Sequence, residues 1–275
     1  MLDGRTVKSY ISRIKVAIEE YTSIRFLVSP LYQKFSKRLA QQKGVRPKII
    51  RVPASKEVVS AVVSSQQLDL CIRAAVGVAF GAMLRVSEYA LTTALTSFKP
   101  KRKLLRSDID DMRDTTGDNG FSLRVKAGKS DIALQGAVLP LMATPSDPLC
   151  YVALLRQYLA WRDKQGFAAD QPLFLLKDGS PLRRSHVAKA LKAVAPRFGI
   201  KPSHISTHGL RHGGAMNLRD AGLDWETIMT RGRWSLKQSN AMAVHYSRFS
   251  VARNQAVASA LALNGPSARL FAHRL

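Results

Sequence analysis

Residues 207–246 read THGLRHGGAMNLRDAGLDWETIMTRGRWSLKQSNAMAVHY and gather histidine, arginine, tryptophan and tyrosine side chains in one short stretch. Side chains three and four positions apart share one face of a helix, so His208, Arg211 and His212 are predicted to point into one site. Ser206 and Thr207 are good N-cap residues, which predicts that this helix begins beside them. The N-terminus of a helix attracts anions, and the stretch therefore predicts a site that faces phosphate.

The charge of the chain points in the same direction. Its net charge is +24, from 43 Lys and Arg against 19 Asp and Glu, and this favours an extended polyanion as partner, with double-stranded DNA as the leading candidate. A solvated basic surface without a partner is the alternative. The cations expected to contact DNA lie in separate segments and are Arg46, Lys48, Arg51, Lys101, Lys103, Arg102, Arg183 and Arg184, with His212 as a further candidate that could instead only pack or cap. The run at 99–106, KPKRKLLR, also reads as a nuclear-import signal.

Cysteine content and apolar runs predict the compartment. Cys71 and Cys150 lie in apolar surroundings, which predicts buried, reduced thiols and an intracellular protein, nuclear in a eukaryote and otherwise cytoplasmic. The longest uninterrupted apolar run, residues 74–84, is well short of the roughly 20 residues that span a bilayer, so no membrane segment is expected. The histidines and cysteines lack the spacing of a zinc site, and no metal is expected.

Periodicity predicts a mainly α-helical protein with a small antiparallel β-sheet. Residues 108–141 alternate in short, glycine-punctuated runs typical of that sheet. Residues 41–53, with two prolines and four cations, predict a linker, and we divide the chain into a domain at 1–50 and a domain at 51–275. Helices are predicted at 5–42 with a break at Ser29-Pro30, and at 55–64, 68–84, 148–161, 184–195, 206–219, 224–231 and 237–263.

Opening a DNA phosphodiester without a metal needs a nucleophile, cations that neutralise the non-bridging oxygens, and a proton for the leaving oxygen. Tyr246 is the candidate nucleophile, and Arg211 and Arg85 are the candidate cations, since the arginine fork binds phosphate in pairs of hydrogen bonds. A surface pair between Arg85 and Glu88 at a helix end is the alternative for Arg85. Lys129 is the candidate proton donor and Lys126 the runner-up, and a simple solvated lysine is the alternative at both positions.

These residues together resemble the catalytic domain of the tyrosine recombinases, the phage-integrase superfamily. MLRVSE at 83–88 is similar to the first arginine motif of the family, HGLRH at 208–212 to its His-x-x-Arg motif, GRW at 232–234 to its His-or-Trp position, and HY at 245–246 to its nucleophile. The GRW form is similar to recombinases of Crypton- and DIRS-type mobile elements. Residues 1–50 resemble the latter part of the helical core-binding domain of the family, in a short or partial form.

The resemblance implies a role for each matched residue. Arg85 and Arg211 would clamp the scissile phosphate, His208 would assist proton transfer, and Trp234 would pack or hydrogen-bond against the phosphate. Lys129 would act as general acid, and Tyr246 would form a 3′-phosphotyrosine. The family uses no cofactor or metal and acts as a homo-tetramer on two DNA duplexes. The expected function is therefore site-specific recombination or integration of DNA, as in a mobile element.

One departure from the family pattern keeps two other functions open. Trp234 and Tyr246 are 12 residues apart, whereas the family usually has about nine, and three extra residues turn a helix by about 300°, close to the original face. A recombinase-like protein that binds DNA without cleaving it is the first alternative. A type IB topoisomerase, which relaxes DNA with similar chemistry, is the second.

Overall fold

The computed structural model describes residues 51–92, 103–113, 119–126, 136–143 and 150–234, with a few separate helical positions between 10 and 34. Packing divides the chain into two compact units, Met1–Ile50 and Arg51–Leu275. The predicted helices at 5–42 and 237–263 fall largely or wholly outside the described residues.

Helices are the predominant secondary structure in the described part of the second unit. They are α1 (Lys56–Val63), α2 (Leu70–Gly81), α3 (Val86–Tyr89), α4 (Tyr151–Lys164), α5 (Arg184–Val194), α6 (His208–Asp220) and α7 (Trp225–Gly232), with short 3₁₀ turns at Arg106–Asp108 and Ala195–Phe198. Ser55, Asp69 and Asp224 cap α1, α2 and α7 by accepting a backbone N–H of the first turn. Within the described ranges, no helix has the length and apolar content needed to cross a membrane.

Helix α2 lies at the centre of the core. Every residue from Ala74 to Phe80 is buried, and the helix packs against α1, α4 and α6. Gly77 allows the close approach of α4, because a Cβ at this position would lie 2.6 Å from the Tyr151 Cβ. The predicted central role of this apolar segment is confirmed, although the helix ends at Gly81 and not at residue 84.

The predicted antiparallel sheet is also confirmed, with three strands in the order β1 (Ile109–Arg113), β2 (Asn119–Val125) and β3 (Ala137–Met142). Leu123 pairs with Ile109 on one side and with Leu139 on the other. All three side chains are buried, whereas the intervening Arg124 and Val138 are exposed. The sheet therefore covers the core with one apolar face.

Helix α6 approaches residues 52–54, at the end of the predicted linker, so closely that only glycine fits. The N–H of Val52 donates to the carbonyl of His204 at 2.8 Å, and the N–H of Ala54 donates to the carbonyl of Gly209 at 3.0 Å. A Cβ at Gly213 would overlap the Ala54 carbonyl. The fold is thereby mainly α-helical with a small sheet, as predicted, and α6 is held against the end of α2.

Candidate active site

The turn that follows α2 carries the first predicted arginine. Met83 adopts a left-handed conformation with φ of 47° and ends α2, so that Arg85 becomes the N-cap residue of α3. The Glu88 carboxylate accepts the Arg85 backbone N–H at 2.7 Å and its guanidinium at 3.1 Å. The Glu88 side chain is only 6% exposed, against 25% for Arg85, so this pair is more than a surface contact at a helix end. Arg85 is thus held by a buried carboxylate three positions further along.

Arg211 of α6 reaches the same turn from another part of the chain. It is 1% exposed, and its guanidinium donates to the Met83 carbonyl at 2.6 Å and to the Gly232 carbonyl. The left-handed turn at Met83 takes this carbonyl out of the backbone hydrogen-bonding pattern of α2. The two predicted phosphate-binding arginines are therefore tied to one segment, residues 82–88.

The GRW segment forms the third side of the site. The N–H of Trp234 donates to the Met229 carbonyl and the N–H of Arg233 to the Thr230 carbonyl, which is the Schellman end of a helix. The Trp234 ring lies 4.6 Å from the Arg211 guanidinium carbon, within the range of a cation–π contact. A Cβ at Gly232 would collide with this ring, which explains the glycine.

Arg233 is a site residue that sequence reasoning missed. Its guanidinium donates to Glu88 Oε2 at 2.8 Å and to the Ala82 carbonyl at 3.4 Å, and its side chain is 13% exposed. Burial lowers the pKa of Arg233, and the neighbouring Glu88 carboxylate opposes that shift. The signal available in the sequence was the arginine between Gly232 and Trp234, but its partner is 145 residues away along the chain.

The histidines of α6 stack on each other one turn apart. The rings of His208 and His212 are 4.4 Å apart in an edge-to-face arrangement, with His208 exposed and His212 buried. Thr207 is the N-cap, but its hydroxyl makes no capping bond, because its backbone is already helical at φ −57° and ψ −27°. Among the described residues, no three His, Cys, Asp or Glu side chains gather as metal ligands.

Comparison with known proteins identifies the family. A model described as the phage integrase family matches residues 53–252, most of the chain and all of the site described above. The chain belongs to the phage integrase family. No curated protein matches it in sequence. The subtype suggested by GRW, that of Crypton- and DIRS-type elements, stays a prediction.

Solved structures of tyrosine recombinases share the fold of this integrase-family chain. A XerA recombinase is 18% identical, with 90% of this chain and 80% of that chain covered and a TM-score of 0.51. A lambda integrase dimer bound to a COC′ core site is 14% identical, with 90% and 73% covered and a TM-score of 0.51. The Tn1549 transposon integrase in complex with transposon right end DNA is 16% identical, with 94% and 80% covered and a TM-score of 0.51.

Lys129 and Tyr246 lie outside the described residues. They are the proton donor and the nucleophile that the resemblance to tyrosine recombinases leads us to expect. Lys129 belongs to the connection between β2 and β3. The runner-up, Lys126, directly follows β2 and forms an ion pair at 2.9 Å with Asp108, whose side chain is 4% exposed. Both assignments stay predictions.

The predicted DNA-contacting cations of this integrase-family chain have different surroundings. Arg183 and Arg184 are exposed at the start of α5, and Arg51 is exposed and donates to the Ser203 carbonyl at 2.7 Å. Lys103 is buried, and its amine donates to the carbonyls of Ser87 and Ala90 at 3.0 and 2.8 Å. Because the Lys103 amine is bound to these two carbonyls, the structure does not support the predicted contact of Lys103 with DNA. The remaining predicted positions, Arg46, Lys48, Lys101 and Arg102, lie outside the described residues.

Proposed function

We propose that the chain is a site-specific DNA recombinase that cleaves and rejoins strands through a 3′-phosphotyrosine intermediate. The observation that carries the proposal is the attachment of Arg85 and Arg211 to one turn, with the Trp234 ring against Arg211, in a member of the phage integrase family. Two guanidinium groups attached to one turn suit a phosphate, because each can donate a pair of hydrogen bonds and neither loses its charge at physiological pH.

The proposed reaction is a transesterification. The Tyr246 oxygen attacks the scissile phosphorus, and the bond from phosphorus to the 5′ oxygen breaks. His208 assists removal of the phenolic proton, and Lys129 gives a proton to the departing 5′ oxygen. Arg85 and Arg211 neutralise the charge that develops on the non-bridging oxygens. The phosphotyrosine bond conserves the energy of the broken linkage, so the reverse attack by a 5′-hydroxyl rejoins the strand and needs no cofactor.

Double-stranded DNA is the proposed partner. The net charge of +24 supports it, and among proteins with this fold the lambda and Tn1549 integrases have been solved with DNA bound. Exposed Arg183 and Arg184 would contact the phosphate backbone, which fixes register and carries no sequence information directly. Assembly as a homo-tetramer on two duplexes is part of the same proposal.

The test is the covalent adduct between protein and DNA. The wild-type chain is incubated with a pool of nicked duplexes of randomised sequence, in which cleavage beside the nick releases a short fragment and traps the intermediate. We expect a denaturant-resistant adduct with the wild-type chain, its loss in Tyr246→Phe, and its retention in Tyr21→Phe, a matched control in which an exposed phenol is removed. An adduct that persists in Tyr246→Phe refutes the assigned nucleophile.

A DNA-binding protein without cleavage is the second candidate, and the spacing of 12 residues between Trp234 and Tyr246 favours it. Both candidates predict binding that weakens with salt, because phosphate contacts release counterions. Salt-sensitive binding without an adduct from any member of the pool would support the second candidate. Relaxation of a random-sequence supercoiled plasmid would instead indicate a topoisomerase.

A further inference from the structure

We propose that Arg233 is a positioning residue that keeps Arg85 available to an anionic substrate by sharing the buried carboxylate of Glu88. Arg85, Glu88 and Arg233 form one group of charges, the RER cluster. The inference rests on the proposed function for the identity of the anion, a phosphodiester. The positioning role itself concerns the binding of a phosphate group, which does not require strand cleavage.

The backbone of Arg233 indicates that its side chain is needed. The residue is the C-cap of α7 with φ 55° and ψ 44°, a left-handed conformation that glycine adopts freely and that costs other residues about 1 kcal/mol or more. Glycine is the residue usually found at such a position. An arginine here is strained by its backbone, and the two acceptors that its guanidinium reaches, Glu88 and the Ala82 carbonyl, account for its presence.

The charges of the RER cluster explain what Arg233 adds. Glu88 Oε2 accepts both the Arg85 backbone N–H and the Arg233 guanidinium, while Oε1 accepts the Arg85 guanidinium. Two cations and one carboxylate sum to +1. Without Arg233 the sum would be zero, and the Arg85–Glu88 pair would offer an incoming phosphate no net positive charge.

Arg233 and Trp234 together hold both predicted phosphate-binding arginines from the end of one helix. Arg233 reaches Arg85 through Glu88, and the ring of Trp234 covers the guanidinium of Arg211. Because the two residues are consecutive, the Schellman end of α7 fixes both contacts at once. A change in this cap would therefore affect the two arginines together.

The first experiment measures the binding of inorganic phosphate by calorimetric titration. Arg233→Gly removes the charge and also relieves the left-handed strain, so folding should survive. A unit charge about 10 Å from the anion, at an effective dielectric constant of about 20, corresponds to about tenfold in affinity. We expect a tenfold loss in Arg233→Gly, a loss under about threefold in Arg233→Lys, and no change in Arg106→Met. Arg106 is the matched control, because it likewise bonds a carboxylate, Asp163, and a backbone carbonyl, that of Ile109.

Replacement of Glu88 separates positioning from direct contact. Glu88→Gln raises the charge of the RER cluster to +2, and combining it with Arg233→Gly returns the charge to +1. We therefore expect the strongest phosphate binding in Glu88→Gln and near wild-type binding in the double variant. A double variant as weak as Arg233→Gly would mean that Arg233 touches the phosphate itself and would overturn the positioning role. So would unchanged binding in Arg233→Gly or a wild-type chain that binds no phosphate.

The adduct assay distinguishes this inference from the proposed function. With a nicked duplex recovered from the pool, Arg233→Gly should lower the single-turnover cleavage rate at saturating DNA about tenfold and Glu88→Gln should restore it. The expected phosphate pattern without any wild-type adduct would support the positioning role and overturn recombination. A normal cleavage rate in Arg233→Gly would overturn the positioning role and leave recombination standing. Folding of each variant is checked by tryptophan fluorescence.

Discussion

Replacing Gly213 by alanine tests the packing that places Arg211. The added Cβ would overlap the Ala54 carbonyl and lie 3.1 Å from the Phe80 ring. Gly209, one turn earlier on the same helix, is a matched control, because its Cβ would lie 3.1 Å from the Val52 carbonyl oxygen and 3.2 Å from the Ala54 nitrogen. The first contact requires the backbone to move, whereas the second requires a shift of a few tenths of an ångström.

Two opposing free energies set the expected size of the effect. Alanine in place of glycine stabilises a helix interior by about 1 kcal/mol. Overpacking costs about 1–3 kcal/mol or more, and the obstacle at Gly213 is backbone, which cannot rotate away. We expect Gly213→Ala to lower the free energy of unfolding by about 2 kcal/mol and Gly209→Ala to change it by under about 0.5 kcal/mol.

Thermal unfolding followed by tryptophan fluorescence measures this difference. The three tryptophans, Trp161, Trp225 and Trp234, all belong to the second unit, so the signal reports on it alone. For domains of 150–250 residues 1 kcal/mol shifts Tm by about 2–4 °C, and Gly213→Ala should therefore melt about 4–8 °C below wild type. A Tm equal to or above that of the wild-type chain would refute the close packing of α6 against Ala54.

Two further predictions concern alkaline stability and the DNA-facing surface. Burial raises the pKa of Tyr158, so its contribution to stability is complete below pH 10 and declines as pH rises further. Urea titrations above pH 10 should show that the free energy of unfolding falls less steeply with pH in Tyr158→Phe than in wild type, by up to about 1.4 kcal/mol per pH unit. Equal slopes of the free energy of unfolding against pH in the two proteins would contradict this prediction. Replacing Arg183 and Arg184 by methionine should reduce the slope of log affinity for duplex DNA against log salt by about 1.8, and an unchanged slope would exclude them as phosphate contacts.

Local patterns in the sequence predicted the elements of the fold well. The apolar run of α2 and the alternation of β1 to β3 each follow from one periodicity, which is a short-range property. The end of α2 was predicted three residues late, because residues 82–84 are as apolar as the helix itself and only the left-handed backbone of Met83 marks the turn. The Thr207 hydroxyl makes no capping hydrogen bond for a similar reason. Threonine is a suitable residue type for an N-cap, but the backbone of Thr207 has a helical conformation that does not allow the bond.

Three members of the candidate site stand in motifs that the sequence shows, whereas Arg233 and the contacts within the site were not predicted. The motifs contain Arg85, Arg211 and Trp234. In the structure Arg85 and Arg211 bond to residues of the segment 82–88, and the Trp234 ring lies against Arg211. No pattern predicted that Arg233 would reach Glu88, or that the amine of Lys103 would be buried against Ser87 and Ala90, because these contacts depend on how distant segments pack. A basic run in the sequence does not distinguish a lysine that faces DNA from one that satisfies the end of a helix.

The end of α2 explains how a site can hold one buried and two half-buried arginines and still remain positive. The last carbonyls of a helix have no partner within it and carry partial negative charge. Here the carbonyls of three consecutive residues, 81, 82 and 83, accept hydrogen bonds from Arg231, Arg233 and Arg211. A carbonyl satisfies a guanidinium without cancelling its charge, whereas a carboxylate cancels it. Packing of these arginines against the end of α2 therefore conserves the positive charge that a phosphate group requires.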